Sequence, residues 1–314
     1  MKKYIIIPVF LSTMAMLTCA GWRGAFDDAY FSQITVTPAP KVKTYTWHSG
    51  PAVPLAVCFP AVGVLNDKII VAGGRGAPTN VWSFDETNWV SLPSLLVARS
   101  WFTGGTTYSN NFYVVGGGVG DWSASTNVEY FDGSTWTIGP ALPNGVSGNA
   151  GISCRVFQGL LYAVWGTNVV AFNGTTWVSK PGVPKVDGRA NFTAVFQERL
   201  YSVGGAVNWT PYTNVYYFDG TNWTETLGLP TATKTAWGNI ETNNLGELYA
   251  GFRWDGFTNS WIYRGSGSSW SNIVYSPVGQ WAYGVNYRGK IYLIGGNQAG
   301  GVFTNVQYLE STEE

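Results

Sequence analysis

The chain has 314 residues, 18 Lys+Arg against 18 Asp+Glu, and a formal net charge of zero. Only 11% of its residues are charged, against about 25% in a typical soluble domain, while 16% are aromatic and Gly alone numbers 40. The balance excludes the basic stripe that neutralises phosphates, so no nucleic-acid partner is expected.

In chain order, Met1-Lys2-Lys3 is a short positive segment, and Tyr4 to Leu17 is mostly apolar but too short for a good spanning helix. Thr18-Cys19-Ala20 then offers small residues for cleavage after Ala20. Residues 1–20 therefore read as an export signal, which implies a secreted, periplasmic or cell-surface protein with no membrane span after cleavage. A lipid on Cys19 is the minor alternative, since Thr18 is unusual before a lipidated cysteine. Residues 21–40 read as an N-terminal linker segment. Cleavage leaves Cys58 and Cys154, too few for a disulfide framework and expected to be free, buried thiols.

From residue 41 the chain repeats. Thr-Asn recurs at Thr79, Thr126, Thr167, Thr213, Thr258 and Thr304, at intervals of 47, 41, 46, 45 and 46 residues. Before each pair runs a strand-like stretch that usually ends in Gly-Gly, as at Gly73-Gly74 and Gly116-Gly117; the third copy has Trp165-Gly166 there and the fifth Phe252-Arg253. After each comes a second apolar stretch such as Val128 to Phe131, then in most copies Asp-Gly or Asn-Gly, the mark of a tight hairpin turn. A Trp follows (Trp89, Trp136, Trp177, Trp223, Trp270), then a Pro. Each unit thus reads as four short antiparallel strands, which is the signature of a propeller blade. The Thr-Asn pair reads as a repeated corner in which a side chain bonds its own backbone.

The sixth copy ends at Glu314, where its Trp strand should begin. The missing strand stands at the other end of the chain: Trp47 and Pro54 keep the Trp-to-Pro interval of seven found in copies two to five. The expectation is an all-β, six-bladed propeller over residues 41–314, closed by an N-terminal strand that completes the last blade and removes an open sheet edge.

Gly-Gly, then an aromatic, then Trp six residues later, as in Tyr130 with Trp136 and Tyr217 with Trp223, resembles the kelch repeat. The resemblance covers nearly all of the mature chain and implies a kelch-type β-propeller. Kelch proteins include partner-binding scaffolds, a copper oxidase and a sialic acid mutarotase (N-acetylneuraminate epimerase), and the last copy, Trp281 to Gly301, is broadly similar to the mutarotase's last blade. In kelch proteins the site commonly lies on the face that carries the loops between strands two and three and the connections between blades. On that face the candidate ligand-binding residues are Arg75, Arg99, Asp121, Trp122, Arg189, Trp209, Lys234, Arg253, Trp254 and Asp255. Aromatic faces beside Arg, Asp and Lys suit a sugar ring or a protein partner. Trp101, Trp237 and Trp281 stand near the starts of first strands, where packing explains them equally well.

Chemistry is harder to find. With one His, His48, the chain cannot supply the two-His copper site of a kelch oxidase, and Cys58 and Cys154 fall in different copies. No metal, no cofactor and no catalytic residue is expected. Gly116 to Asp121 lacks the spacing of a nucleotide loop. A mutarotase needs a general acid and base, which that family is thought to draw from a Glu with an Arg partner; the loop face here carries no Glu, only Asp121, Asp187 and Asp255. The reading is therefore a non-catalytic binding module for a protein or glycan. The alternatives are a sugar mutarotase and a structural surface or matrix component.

Overall fold

The computed structural model describes residues 41–101, 104–119, 123–143, 151–184, 192–204, 206–207, 210–211, 213–229, 238–254, 257–263, 270–272, 282–298 and 301–314. The chain divides into residues 1–41 and Val42–Glu314, and every described strand lies in the second unit. Among the described residues there is no helix.

The strands form six four-stranded antiparallel sheets, with three small two-stranded hairpins besides. In the first sheet, Ala61–Leu65, Lys68–Ala72, Val81–Phe84 and Trp89–Leu92 are neighbours in space in the order of the chain. The next four begin at Gly104, Ser153, Phe192 and Gly238 and keep this order. The sixth takes three strands from the C-terminal end of the chain and its fourth, Lys43–Ser49, from the N-terminal side, with Trp47 opposite Leu309. Two side chains of that strand, Lys43 Nζ and Tyr45 Oη, donate to the buried carboxylate of Glu247 in the neighbouring sheet, at 2.9 and 2.7 Å.

The first strand of each sheet packs on the first strand of the next, and that of the sixth packs on that of the first. Apolar side chains fill each gap: Ile70, Ala72, Phe112 and Phe131 between the first two sheets, and Val62, Trp82, Phe84, Val285 and Ile294 between the last and the first. Neither face of such a small sheet can be left wet, so stacking around an axis is what stabilises each repeat. The molecule is an all-β propeller.

Three local devices explain the repeating residues. Trp is the first. The indole N–H of Trp89 donates to Pro51 O, that of Trp136 to Pro93 O, Trp177 to Pro140 O, Trp223 to Pro181 O and Trp270 to Leu227 O, at 2.7–3.2 Å. Each acceptor lies four residues after the Trp of the preceding sheet, and Pro51 lies four after Trp47. The Trp is thus a latch between sheets, and the N-terminal strand supplies the acceptor in the same way as the others.

The second device is the turn before the Trp. Asp132 Oδ1 accepts the N–H groups of Ser134 and Thr135, both at 2.7 Å, and these bonds hold its carboxyl far below the usual carboxylate range. Asp85, Asn173 and Asp219 cap their turns likewise. Gly133 takes φ +104°, a conformation that costs Gly nothing. The first repeat has Glu86 in this place at φ +79°, with its carboxylate accepting from Tyr292, Lys290 and Arg288 of the last sheet.

The Thr-Asn corner is the third. Asn80 O accepts from Gly73 N–H and Thr79 O from Leu95 N–H, both at 2.9 Å. The same two bonds recur at Asn127 with Thr126, Asn214 with Thr213, and Asn305 with Thr304. The corner therefore works through main-chain carbonyls, which corrects the expectation that a side chain would fix it.

Candidate functional site

The loops between second and third strands meet the connections between sheets at one end of the propeller. Cys58 pairs with Arg75 across such a junction, and Trp101 with Gly118. Gly74, at φ +97°, lets the two backbones close up; a Cβ there would stand 2.7 Å from Cys58 O. Arg75 is thereby set above Trp101, its guanidinium carbon 5.1 Å from the ring centroid. The Trp101 ring lies 5.5 Å from that of Phe59, which meets Tyr283 edge-on at 6.3 Å. Phe59 is buried, whereas Arg75, Trp101 and Tyr283 are half-buried. Burial pushes the Cys58 thiol up to about 12 against the pull of Arg75, and burial also raises the Tyr283 phenol. A reactive thiolate is excluded there. What remains is a fixed cation on aromatic plates.

Of the sequence-predicted residues, Arg75 belongs to this cluster. Arg99 does not. Its side chain is 0% exposed and donates to Glu129 Oε1 at 3.0 Å and to Ser125 Oγ at 3.3 Å. The second oxygen of Glu129 accepts from Leu96 N–H at 2.8 Å, so the pair organises the connection between the first two sheets. Arg99 is a buried strut, which corrects its place among the ligand-binding candidates: a guanidinium sealed from solvent by its carboxylate meets no ligand. Arg253 and Trp254 end the strand Leu248–Trp254, opposite Thr258 and Phe257. Asp121, Trp122, Arg189, Trp209, Lys234 and Asp255 lie outside the described residues.

A second constellation was missed by sequence reasoning. Arg155, on the first strand of the third sheet, donates through Nη2 to Glu241 Oε1, on the first strand of the fifth. The fourth sheet stands between those two in the cycle, so the pair joins next-but-one first strands past the first strand of the fourth. Arg155 Nη1 also donates to Cys154 O at 2.9 Å. Around the pair, polar side chains tie neighbouring first strands: Ser153 to Thr193 at 2.7 Å, Thr242 to Val195 O at 2.9 Å, and Asn286 to Thr242 O. Burial pushes Glu241 up to about 7 in spite of Arg155. The signal was in the sequence. All six first strands have five residues; Arg155 is third in its strand, where the others have Gly63, Thr106, Ala194, Ile240 and Val285. Glu241 is fourth, where the others have Val64, Thr107, Val156, Val195 and Asn286. Charges at positions otherwise small, apolar or neutral mark the pair.

Cys58 and Cys154 are both free and buried. Among the described residues no group of three His, Cys, Asp or Glu side chains is arranged to hold a metal, and no helix is long and apolar enough to cross a membrane.

No known family matches the chain. No curated protein matches it either. The solved structure of YjhT superposes on it with a TM-score of 0.72, covering 84% of this chain and 99% of that one at 14% identity. At that identity the likeness is one of fold.

Proposed function

We propose that this chain is an exported six-bladed propeller that binds a protein or glycan through its loop face, without catalysis. The observation that supports it is the Arg75–Trp101–Phe59 stack at the loop end, where a guanidinium is held over an indole. Such a surface offers stacking area and directional N–H donors together, the features of binding hot spots. The test is capture of ligands on a glycan array and from a set of cell-surface proteins, with Arg75→Ala and Trp101→Ala alongside the parent protein. Loss of capture in both variants, with unfolding midpoints unchanged, is expected. Undiminished capture in both sinks the choice of site.

One observation favours a second reading, a sugar mutarotase. Ring opening needs a group that both gives and takes a proton near neutral pH. Glu241, raised to about 7 and facing Arg155, has that property. Polarimetry of a freshly dissolved sugar anomer decides between the readings. Acceleration that Glu241→Gln abolishes establishes the enzyme, and an unchanged rate with parent protein removes it.

A further inference from the structure

The turns before the Trp strands share one design, and the third repeat departs from it. Asp85, Asp132 and Asp219 cap their turns with a carboxylate, whereas the third turn is capped by the amide of Asn173. Gly174 follows. Asn173-Gly174 is one of two Asn-Gly pairs in the chain, and the other, Asn144-Gly145, lies outside the described residues.

An asparagine followed by glycine can react with its own backbone. The nitrogen of the glycine attacks the side-chain carbon Cγ, and no side chain stands in the way. Three features of this turn favour that step. First, Asn173 Oδ1 accepts the N–H groups of Thr175 and Thr176, both at 2.9 Å. The amide reaches two and three positions ahead by folding back over the Gly174 nitrogen, which holds Cγ beside its nucleophile. Second, those two N–H groups stand where negative charge develops on Oδ1 during the attack, and they stabilise it as an oxyanion hole does. Third, the turn is open. Residues 173 to 176 are exposed, and a Cβ on Gly174, at φ +98°, would meet nothing nearer than the Tyr108 hydroxyl at 3.7 Å. Among the described residues neither Gly174 N–H nor Asn173 Nδ2 has a hydrogen-bond partner. The nucleophile has no bond to give up, and the leaving group has none to hold it.

We propose that Asn173 is a self-modifying site that deamidates in the folded protein. Gly174 N gives its proton to solvent and bonds to Cγ. The Cγ–Nδ2 bond breaks, and Nδ2 takes a proton from solvent and leaves as ammonia. A five-membered imide then joins residues 173 and 174, and water opens it. Attack at Cγ gives an aspartyl residue, and attack at the main-chain carbonyl gives an isoaspartyl one. Cγ carries the polarised oxygen, so the turn directs water there. The product is the carboxylate cap of the sibling turns, and a chain of zero net charge gains one negative charge. The isoaspartyl product would instead add a methylene to the main chain just before Trp177, whose indole is latched to Pro140 O at 2.9 Å.

The test is incubation of the purified protein at mildly alkaline pH, folded and, in parallel, in enough urea to unfold it. Peptide mass spectrometry follows conversion of amide to acid at position 173, and chromatography against synthetic standards separates aspartyl from isoaspartyl product. Loss of the amide is expected about tenfold faster in the folded protein, the worth of two hydrogen bonds to the developing charge. The folded protein should give chiefly the aspartyl product and the unfolded chain chiefly the isoaspartyl one. Asn173→Asp should unfold at the parent's midpoint or above it. A folded rate equal to or below the unfolded rate overturns the proposal. So does a chiefly isoaspartyl product from the folded protein, or a lowered midpoint for Asn173→Asp.

Discussion

Two of the Arg–Glu pairs among the described residues stand in different surroundings. Arg99 and Glu129 are both sealed at 0% exposure between the first two sheets, with the spare carboxylate oxygen taken by backbone N–H. Glu129 accepts from Arg99, Leu96 and Val97, so the pair fixes one connection in one conformation. Arg155 and Glu241 join the first strands of the third and fifth sheets, at 23% and 12% side-chain exposure. Burial pushes Glu241 up to about 7 in spite of Arg155 and a backbone hydrogen bond from Asn286. Burial raises both carboxyls against the pull of their Arg partners, but one pair ties together the connection between two neighbouring sheets while the other joins the first strands of the third and fifth.

That contrast can be broken at the strut first. Arg99→Ala leaves Glu129 buried without its counter-ion, which should cost about 3–5 kcal/mol in denaturant unfolding, and a loss under 1 kcal/mol would mean that the pair is not the strut described. The Arg155–Glu241 pair should respond to pH instead. Glu241 is raised in the folded state from its ordinary 4.5 to about 7. A raised carboxyl favours the folded protein in full below pH 4.5, and that contribution is lost as pH rises through 7, by roughly 3 kcal/mol at most. Stability should therefore fall between pH 5 and 8, and Glu241→Gln should flatten the slope; identical slopes in both proteins would remove Glu241 as the titrating group. The smallest effect belongs to a neutral bond. Trp136→Phe keeps the packed ring but gives up the latch to Pro93 O, for about 1 kcal/mol, read as a small drop in unfolding midpoint at every pH.

The periodic features were legible because each repeat solves the same local problem. The tight turns and the Trp strand follow from residue types at fixed spacing. The exchange of the last strand, Lys43–Ser49 for one beyond Glu314, could be read from the Trp47–Pro54 interval alone. Arg75 was legible as a loop residue beside the Gly pair. Arg99, six residues from the Pro93 latch acceptor, looked equally exposed. Its burial depends on Glu129, thirty positions away, and nothing local announces that.

The sequence by itself determined the all-β propeller, the repeat boundaries and the partner of the N-terminal strand, since hydrophobic alternation, turn chemistry and a recurring Trp are properties of short stretches. Only the tertiary structure decided which charges are struts and which are available. It showed that the Thr-Asn corner works through carbonyls, that Arg155 meets Glu241 from 86 positions away, and that the Trp165 indole lacks an acceptor among the described residues. The physical reason is that burial and pairing are set by what arrives from distant parts of the chain, and a carboxylate's or an indole's behaviour follows from those neighbours rather than from its own place in the repeat.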